Sequence, residues 1–575
     1  MSNTAIGVLA LAILVALLLI VLPAENGLKQ CDPGMSAVEN EEIVPPEATG
    51  SIQGEALSSV VSWVGEVTME GETRFIRVGP QVFGPPQTLF HYPNNLLFNM
   101  ELRNLVVDNN AISFQVNDGK QTISYEGIFD GKRYNGIAQS ENVSGDFFLY
   151  PVAGPAENSI LSTYAGNYEI GAGIYRTVGF EDLGGLVETR IYYKDGDDFV
   201  LMFPLSTTEF LTGLGELIRF AQEDGIVTSM VVVEADGECV ISKVSLYTEE
   251  EVSFRSGDTT IAGTLMVPNS PGPHPAVIIA HNSGVGERHG YWLFASGFAQ
   301  DGLAVLAYDR RGYGHSTGNV SLDTDILAED MKAGYAFLQS HPAIDPLRIG
   351  LMGFSNGSWV APRAAQDLSD EAFIVVSMAS AVSQVDAELF RRETVLRDIG
   401  ISEESIAQAM DANRLYFKGA VTPFTEAEVE EFTAMYQALM ENNELQNATG
   451  IRLLPTHMPL EEILDAAGLF SSMGFSPAET YLDTDAPIAF FLGELDGNIP
   501  PELSITTMED VMAQRPEADI TMVVFPDTLH SMFVLAGPVQ GMSQDLLIAN
   551  VASYRFASGY LAQQRAWLKE KTGLN

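Results

Sequence analysis

Residues Ile349–Gly357 read Ile-Gly-Leu-Met-Gly-Phe-Ser-Asn-Gly, which places a serine between two glycines directly after an apolar run. The run from Ile349 to Met352 is typical of a strand buried on both faces, and the next residues, SWVAPRAAQ, favour a helix. A serine on such a sharp strand-to-helix turn lies beside the N–H groups of the helix N-terminus. The stretch therefore predicts Ser355 as a nucleophile at the end of a buried strand.

The surrounding sequence alternates between apolar strands and helical segments after Glu251. The predicted strands are HPAVIIAH, LAVLAYD, RIGLMG and FIVVSMA, and helices are expected over Tyr291 to Gln300 and Leu322 to Ser340. This alternation predicts a mostly parallel sheet with helices on both faces. We also expect an inserted helical cap over about residues 381–480, where Thr425-Glu-Ala-Glu428 has the pattern of a capping box.

A second segment, Gly314-His-Ser316-Thr-Gly318, has the same Gly-x-Ser-x-Gly spacing. It lies in the glycine-rich stretch DRRGYGHSTG and no apolar strand directly precedes it. Because the chemistry needs the strand-to-helix turn, this context favours Ser355 over Ser316.

A serine hydroxyl is a weak nucleophile and needs a general base, which in turn needs a group that fixes its tautomer. His530 closes the strand ITMVVFPDTLH and is the candidate base, while Asp496 ends the strand PIAFFLGELD and is the candidate acid. The chain order Ser355, Asp496, His530 agrees with that of one large class of triad hydrolases.

Other residues remain open as members of this set. Glu494 and Asp527 are alternative acids, but Glu494 lies two residues earlier in the strand and Asp527 is close to His530 in sequence. The alternative bases, which we expect instead to shape the pocket as loop residues, are His281, His289 and His315.

Main-chain N–H groups are expected to stabilise the negative charge that develops on the carbonyl oxygen. One would come from Asn356, directly after the nucleophile. The other would come from the loop His281–Gly286, and we expect the donor there to be Ser283.

The segment over residues 56–248 has a different pattern, with short alternating strands separated by Gly, Asn and Asp turns. AISFQV, QTISYEGIF and KRYNGIA are examples, and long helical periodicity is absent. We predict one or two small antiparallel barrels or sandwiches. Aromatics such as Tyr192, Tyr193 and Phe199 could form a binding surface, although core packing is the better interpretation.

The amino terminus contains the uncharged apolar run Ala5–Leu22, long enough as a helix to approach the thickness of a bilayer. Residues 1–24 are therefore interpreted as a signal peptide or membrane anchor, and residues 25–55 as a linker. The bulk of the chain would then lie outside the cytoplasm, attached to a membrane only through this segment. The two cysteines, Cys31 and Cys239, could form one disulfide or remain free.

The charge balance limits the possible partners. The 575 residues contain 30 Lys and Arg against 76 Asp and Glu, a net charge of −46 at pH 7. Such a field repels phosphate backbones, so nucleic-acid binding is not expected. A small ester or peptide substrate is expected instead, and the oligomeric state stays open.

The segments HNSGVGER, DRRGYGHSTG, GFSNG, GELDGNIPPELS and FPDTLHSMF resemble those of the α/β-hydrolase superfamily. The likeness is to its exported esterases with a β-rich amino-terminal extension and to its prolyl-oligopeptidase-like serine peptidases. It covers roughly Glu251 to Asn575, within a predicted domain over residues 249–575. It implies Ser355, Asp496 and His530 as the triad, with Ser283 and Asn356 as oxyanion donors. Many relatives have a glycine where Asn282 stands. The β-rich part resembles lipocalin-like modules.

The resemblance implies a carboxylesterase-type serine hydrolase that works through an acyl-enzyme and needs no metal or organic cofactor. A peptidase or aminopeptidase of the prolyl-oligopeptidase-like type is the alternative, since the same triad cleaves amides. A catalytically inert binding protein is a third possibility.

Overall fold

The computed structural model describes residues 62–574, apart from 81–87, 94–96, 109, 119, 154–157, 182–189, 235–236, 285, 369–370, 448–452 and 535–552. The predicted signal or anchor (1–24) and the predicted linker (25–55), with Cys31, lie outside these residues. In the part that is described, no helix combines the length and the hydropathy needed to cross a bilayer.

The chain folds into two compact units, which divide between Ser245 and Leu246. Near the carboxyl terminus, residues 553–556 are grouped with the first unit rather than the second. They contain a strand that pairs within the first unit.

The first unit begins with a closed antiparallel barrel of eight strands. Its strands are β1 (Trp63–Met69), β2 (Glu72–Pro80), β3 (Thr88–Tyr92), β4 (Leu97–Val107), β5 (Ala111–Asn117), β6 (Thr122–Phe129), β7 (Tyr134–Gln139) and β8 (Ser144–Pro151). Alternate residues point inward, as Ile112, Phe114 and Val116 do on β5. Packed aromatic side chains fill the interior, where the hydroxyls of Tyr92 and Tyr125 are 2.8 Å apart.

A short helix, Asn158–Tyr164, leads into a second antiparallel sheet. Its strands are β9 (Gly166–Gly171), β10 (Ile174–Glu181), β11 (Arg190–Asp195), β12 (Asp198–Pro204), β13 (Glu209–Thr212), β14 (Leu217–Glu223), β15 (Ile226–Glu234) and β16 (Gly237–Val244). Because β11 also pairs with β12, these eight strands close into a ring. Strand β25 (Ser553–Arg555) then adds to β12, with Tyr554 opposite Phe199.

Strand β25 falls inside the sequence segment 249–575 that was assigned to the carboxy-terminal domain. It pairs instead within the β-rich unit, because β13 bonds to β12 only over residues 202–204 and leaves residues 198–200 of β12 for an extended segment to join. Tyr192 and Phe199 are buried, with ring centroids 4.1 Å apart, so their role is packing within this sheet. Cys239 is disulfide-bonded.

The second unit is built on an eight-stranded sheet. Its strands are β17 (Tyr247–Ser256), β18 (Thr259–Pro268), β19 (His274–Ala280), β20 (Ala304–Tyr308), β21 (Ile344–Phe354), β22 (Ile374–Ser377), β23 (Ile488–Gly493) and β24 (Ile520–Phe525). The spatial order is β17-β18-β20-β19-β21-β22-β23-β24, and the strands from β20 to β24 in that order pair in parallel. This arrangement confirms the predicted mostly parallel sheet.

Helices cover this sheet and form the inserted region. They are Trp292–Gln300, Thr324–Ser340, Gly357–Ala365, Gln384–Asp398, Glu403–Val421, Glu426–Glu441, Asn443–Asn447, Leu460–Asp465, Pro477–Asp483, Pro501–Gln514 and Tyr560–Thr572. Five of them, from Gln384 to Asp465, lie within the predicted cap, and Thr425 and Glu428 form the predicted capping box. Strands that are buried along their whole length, such as β19 and β23, form the core of the sheet.

Candidate active site

The carboxyl ends of four parallel strands meet at one edge of the sheet. Ala280, the last residue of β19, pairs with Gly353 near the end of β21, and Gly493 of β23 pairs with Phe525 of β24. Side chains that directly follow these strands are therefore brought to the same edge, although they are far apart in sequence.

Ser355 lies on the sharp turn between β21 and helix Gly357–Ala365, with a φ of +52°. Its N–H donates to the carbonyl of Ser377 at 2.9 Å, and its carbonyl accepts from the N–H of Ser358 at 2.7 Å. A Cβ on Gly353 would lie 2.0 Å from the carbonyl oxygen of Gly357, and one on Gly357 would lie 2.5 Å from that of Ala280. The two glycines are thus required by close backbone approach on both sides of the serine.

The three predicted triad residues are brought together. The Oγ of Ser355 lies 2.8 Å from Nε2 of His530, and Nδ1 of His530 lies 2.6 Å from Oδ2 of Asp496. Since the carboxylate only accepts, Nδ1–H donates to Asp496 and leaves Nε2 to accept from the serine hydroxyl. All three residues are at most 8% exposed.

The carboxylate of Asp496 is held by its own turn. Its Oδ1 accepts from the main-chain N–H groups of Asn498 and Ile499, both at 2.8 Å. With one oxygen on these amides and the other on His530, the carboxylate orients the imidazole toward Ser355.

The alternative serine and acids have other contacts. Ser316 donates its hydroxyl to the carbonyl of Asp309 at 2.6 Å and accepts from the N–H of Ala262, so it fastens the loop that contains it. Glu494 accepts from the N–H of Asp527 at 3.1 Å, at an exposed position. The geometry selects Asp496 and Ser355.

The alternative histidines also lie in other settings. His281 packs edge-on against Tyr291 and Tyr308, with ring centroids 4.9 Å away in each case. Its burial, together with the positive charge of Arg310, lowers the pKa of His281 to about 3. Nδ1 of His315 lies 3.4 Å from the guanidinium of Arg288, and His289 lies in the 3-10 turn Arg288–Tyr291. His530 is the histidine bonded to Ser355.

The loop after β19 is fixed by a buried arginine. Arg310 is 1% exposed and donates from Nη1 to the carbonyl of Asn282 at 2.9 Å and from Nη2 to that of Gly284 at 2.7 Å. The N–H of Asn282 donates to the hydroxyl of Tyr291, and Asn282 Oδ1 accepts from the N–H of Gly284. Asn282 therefore stabilises the turn.

The predicted oxyanion donors lie in this neighbourhood. Ser283 and Asn356 are both buried, and a Cβ on Gly357 would lie 3.1 Å from the carbonyl oxygen of His281. The start of the loop that contains Ser283 therefore lies next to the turn that contains Asn356. Neither of their main-chain N–H groups donates to an acceptor within the described part of the chain.

Sequence reasoning missed how the cap is attached to the nucleophile turn. Nε2 of Gln384 donates to Oδ1 of Asn356 at 2.9 Å, and Nε1 of Trp359 donates to the carbonyl of Val382 at 2.7 Å. The available signal was Ser383, whose capping box with Asp386 begins the first cap helix at Gln384. Within the described residues no group of three or more His, Cys, Asp and Glu side chains could hold a metal ion.

Comparison with known proteins identifies the fold of this unit. Residues 277–539 match the alpha/beta hydrolase family. The carboxy-terminal region is an alpha/beta hydrolase domain. The amino-terminal region of this chain is an antiparallel all-β module with barrel architecture, as the sequence predicted.

Several curated proteins are similar to part of this chain. The quorum-quenching protein AidA of Acinetobacter baumannii is 34% identical over 120 residues, which are 20% of this chain and 40% of that protein. The thiohydrolase aneE of Aspergillus aculeatus is 35% identical over 122 residues, 20% of this chain and 37% of that protein. Esterase EstD of Thermotoga maritima is 23% identical over 173 residues, covering 27% and 42%. The chain therefore spans about two fifths of the length of these relatives.

Proposed function

We propose that this protein is a serine hydrolase that cleaves carboxylic esters through an acyl-enzyme on Ser355. The observation that carries the proposal is the continuous chain of contacts from Ser355 Oγ to His530 Nε2 at 2.8 Å and from His530 Nδ1 to Asp496 at 2.6 Å. The resemblance of part of the chain to a protein named an esterase also supports it.

In the first half of the reaction, Ser355 Oγ attacks the ester carbonyl carbon while its proton passes to His530 Nε2. The carbonyl oxygen becomes an oxyanion, and the N–H groups of Asn356 and Ser283 would bind it. When the tetrahedral intermediate collapses, the bond to the leaving alkoxide breaks. His530 returns its proton to that oxygen, and the acyl group stays on the serine.

In the second half, His530 takes a proton from water, and the resulting hydroxide attacks the acyl carbonyl. Collapse of the second intermediate breaks the bond to Ser355 Oγ, which regains the proton from His530. Asp496 remains a carboxylate throughout and stabilises the imidazolium that forms twice.

Amides and thioesters are the other acyl compounds that this machinery could cleave. A thiohydrolase is among the relatives, which supports thioesters as a second substrate class. The hypothesis that the protein is a peptidase rests on the triad alone, and it is tested with aminoacyl 4-nitroanilides.

The experiment is labelling of the purified protein with a fluorophosphonate, followed by assays with 4-nitrophenyl esters, acyl thioesters and aminoacyl 4-nitroanilides. We expect labelling of the wild type and of Ser316→Ala, and none of Ser355→Ala. Ester cleavage should exceed anilide cleavage. If the folded wild type is not labelled, or if Ser355→Ala is labelled equally, the protein is an inert binding protein or uses another nucleophile.

We also propose that the protein acts outside the cytoplasm. The disulfide at Cys239 supports this, because such bonds persist in oxidising compartments. Cys31, the other cysteine of the sequence, lies outside the described residues. Alkylation of the unreduced protein should then find no free thiol, whereas reduction should release both; free thiols before reduction would contradict the proposal.

A further inference from the structure

The side chain of Asn356 contains a buried donor that the protein does not use. Asn356 is 6% exposed, and its Nδ2 is buried without a hydrogen-bond partner within the described part of the chain. Buried polar side chains are nearly always hydrogen-bonded, and an exception calls for an explanation such as strain, a bound water or a role in function. This donor directly follows the nucleophile Ser355.

The orientation of the Asn356 carboxamide is fixed from the other end. Its Oδ1 accepts from Nε2 of Gln384 at 2.9 Å, and Gln384 is the first residue of the cap helix Gln384–Asp398. That helix start is anchored by the Ser383 capping box and by the bond from Trp359 to Val382. With Oδ1 engaged by Gln384, the NH2 group of Asn356 is held on the opposite side of the amide.

An ester substrate can supply the hydrogen-bond acceptor that this donor lacks. Every oxygen in an ester is an acceptor, so an NH2 group can pair with any of them. In the mechanism proposed above, the scissile carbonyl oxygen is taken by the main-chain N–H groups of Asn356 and Ser283. The side-chain donor, which no described residue of the cap engages, is therefore available for a second oxygen.

We propose that Asn356 Nδ2 determines acyl specificity by donating a hydrogen bond to an oxygen of the acyl group close to the scissile carbonyl. The substrates would be esters of alkoxy, hydroxy or oxo acids, preferred over plain alkanoyl esters of the same length. This inference rests on the proposed serine hydrolase function and names its substrate class.

The test compares two esters that differ by one atom, 4-nitrophenyl methoxyacetate and 4-nitrophenyl butanoate. The ether oxygen of the methoxyacetate replaces a methylene of the butanoate and also activates the carbonyl. The quantity compared between wild type and variants is therefore a ratio, kcat/KM for the methoxyacetate divided by kcat/KM for the butanoate. In Asn356→Leu the ratio should fall by roughly tenfold, the value of one hydrogen bond to a bound substrate. Because both rates come from the same variant, any general loss of activity cancels.

Two further variants separate the donor from packing. Asn356→Asp keeps the size of the side chain and the acceptor for Gln384 but has no NH2 group, so its ratio should also fall. Gln384→Met leaves Nδ2 in place but frees the carboxamide to rotate, and its ratio should fall less than that of Asn356→Leu. Fluorophosphonate labelling of each variant checks that the serine site is folded.

Unchanged ratios in both labelled Asn356 variants, or a higher ratio in Asn356→Asp, would overturn the inference and leave the proposed hydrolase intact. Failure of the wild type to cleave either ester or to react with the fluorophosphonate would instead overturn the proposed function itself.

Discussion

Ser355 occupies a left-handed backbone conformation that costs free energy, and the two flanking glycines make it possible. Gly353 and Gly357 leave no room for a Cβ because main-chain atoms approach within 2.5 Å of where it would lie. The same turn exposes the serine hydroxyl to His530 and places the Asn356 amide beside it. Single-residue changes here should therefore act on the geometry of the reaction as well as on stability.

Gly353→Ala tests that close approach. The added methyl would lie 2.0 Å from the carbonyl oxygen of Gly357, so the turn must shift. We expect a loss of about 1–3 kcal/mol in the free energy of unfolding, measured by urea denaturation, together with slower fluorophosphonate labelling. Gly297→Ala is the matched control, because nothing lies within 4 Å of its added Cβ in helix Trp292–Gln300. Equal effects of the two changes would refute this account of the turn.

Asp496→Asn tests the assignment of the acid. The amide no longer fixes the tautomer of His530 that can accept from Ser355, and kcat for ester hydrolysis should fall by about 10³- to 10⁴-fold. Asp527→Asn changes the neighbouring acid, which is not the one bonded to His530. It should change kcat by less than about threefold, because the substitution lies in an exposed turn. A large loss in Asp527→Asn with a small one in Asp496→Asn would reverse the assignment.

At the scale of elements, the loop after β19 depends on side chains from the next strand-end loop. Arg310 donates to two carbonyls of the loop and packs against the ring of Tyr313, 4.7 Å from its centroid. The loop has few apolar residues of its own, so its shape depends on these bonds. The oxyanion donor expected at Ser283 is thus positioned by a residue that is distant from it in sequence.

Arg310→Met should loosen this loop. If Ser283 provides an oxyanion donor, kcat for a good ester should fall by about 10²-fold with little change in KM, because the donor acts on the transition state. Arg414→Met removes an exposed cap arginine paired with Asp411 and should leave both constants unchanged. A change in KM alone would mean that the loop binds substrate without contributing to the transition state.

The barrel contains a histidine that should make it sensitive to acid. Burial, assisted by the charge of Arg77, lowers the pKa of His91 to about 3. In the unfolded chain the histidine titrates near 6.5, so the unfolded state takes up the proton first as pH falls. The stabilising contribution is complete above pH 6.5 and is lost between there and pH 3, by up to about 1.4 kcal/mol per pH unit.

Unfolding of the wild type and of His91→Phe should be compared at pH 7.5 and pH 5.0. The stability of the wild type should fall more steeply toward pH 5.0 than that of the variant. Parallel pH dependence would mean that His91 takes up no fewer protons in the folded state than in the unfolded chain.

At the scale of the whole molecule, alternation of strand and helix was enough to predict the sheet of the hydrolase domain, and the strand-end positions of Ser355, Asp496 and His530 were enough to predict their meeting. Local patterns carry this information because parallel strands must end at a common edge. The pairing of β25 with β12 and the bond from Gln384 to Asn356 were missed. Each joins residues through three-dimensional packing: the capping box at Ser383 marks where the cap helix begins but not which side chain Gln384 meets.

The net charge of −46 has a consequence for the whole chain. Carboxylates far outnumber cations, so most of them repel one another across the folded surface. Raising NaCl from about 0.01 M to about 1 M shortens the screening length from about 30 Å to about 3 Å and should raise the thermal unfolding midpoint. An unchanged or lower midpoint would indicate that the acidic surface is balanced locally by its ion pairs.

Ser355 is the proposed nucleophile, and the most direct measurement is to locate the fluorophosphonate adduct by peptide mass spectrometry. Cleavage after arginine and lysine separates Ser355, on residues 349–363, from Ser316, on residues 312–332. We expect one adduct on Ser355, absent after heat denaturation of the protein before labelling. An adduct on Ser316, or no adduct on the folded protein, would contradict it.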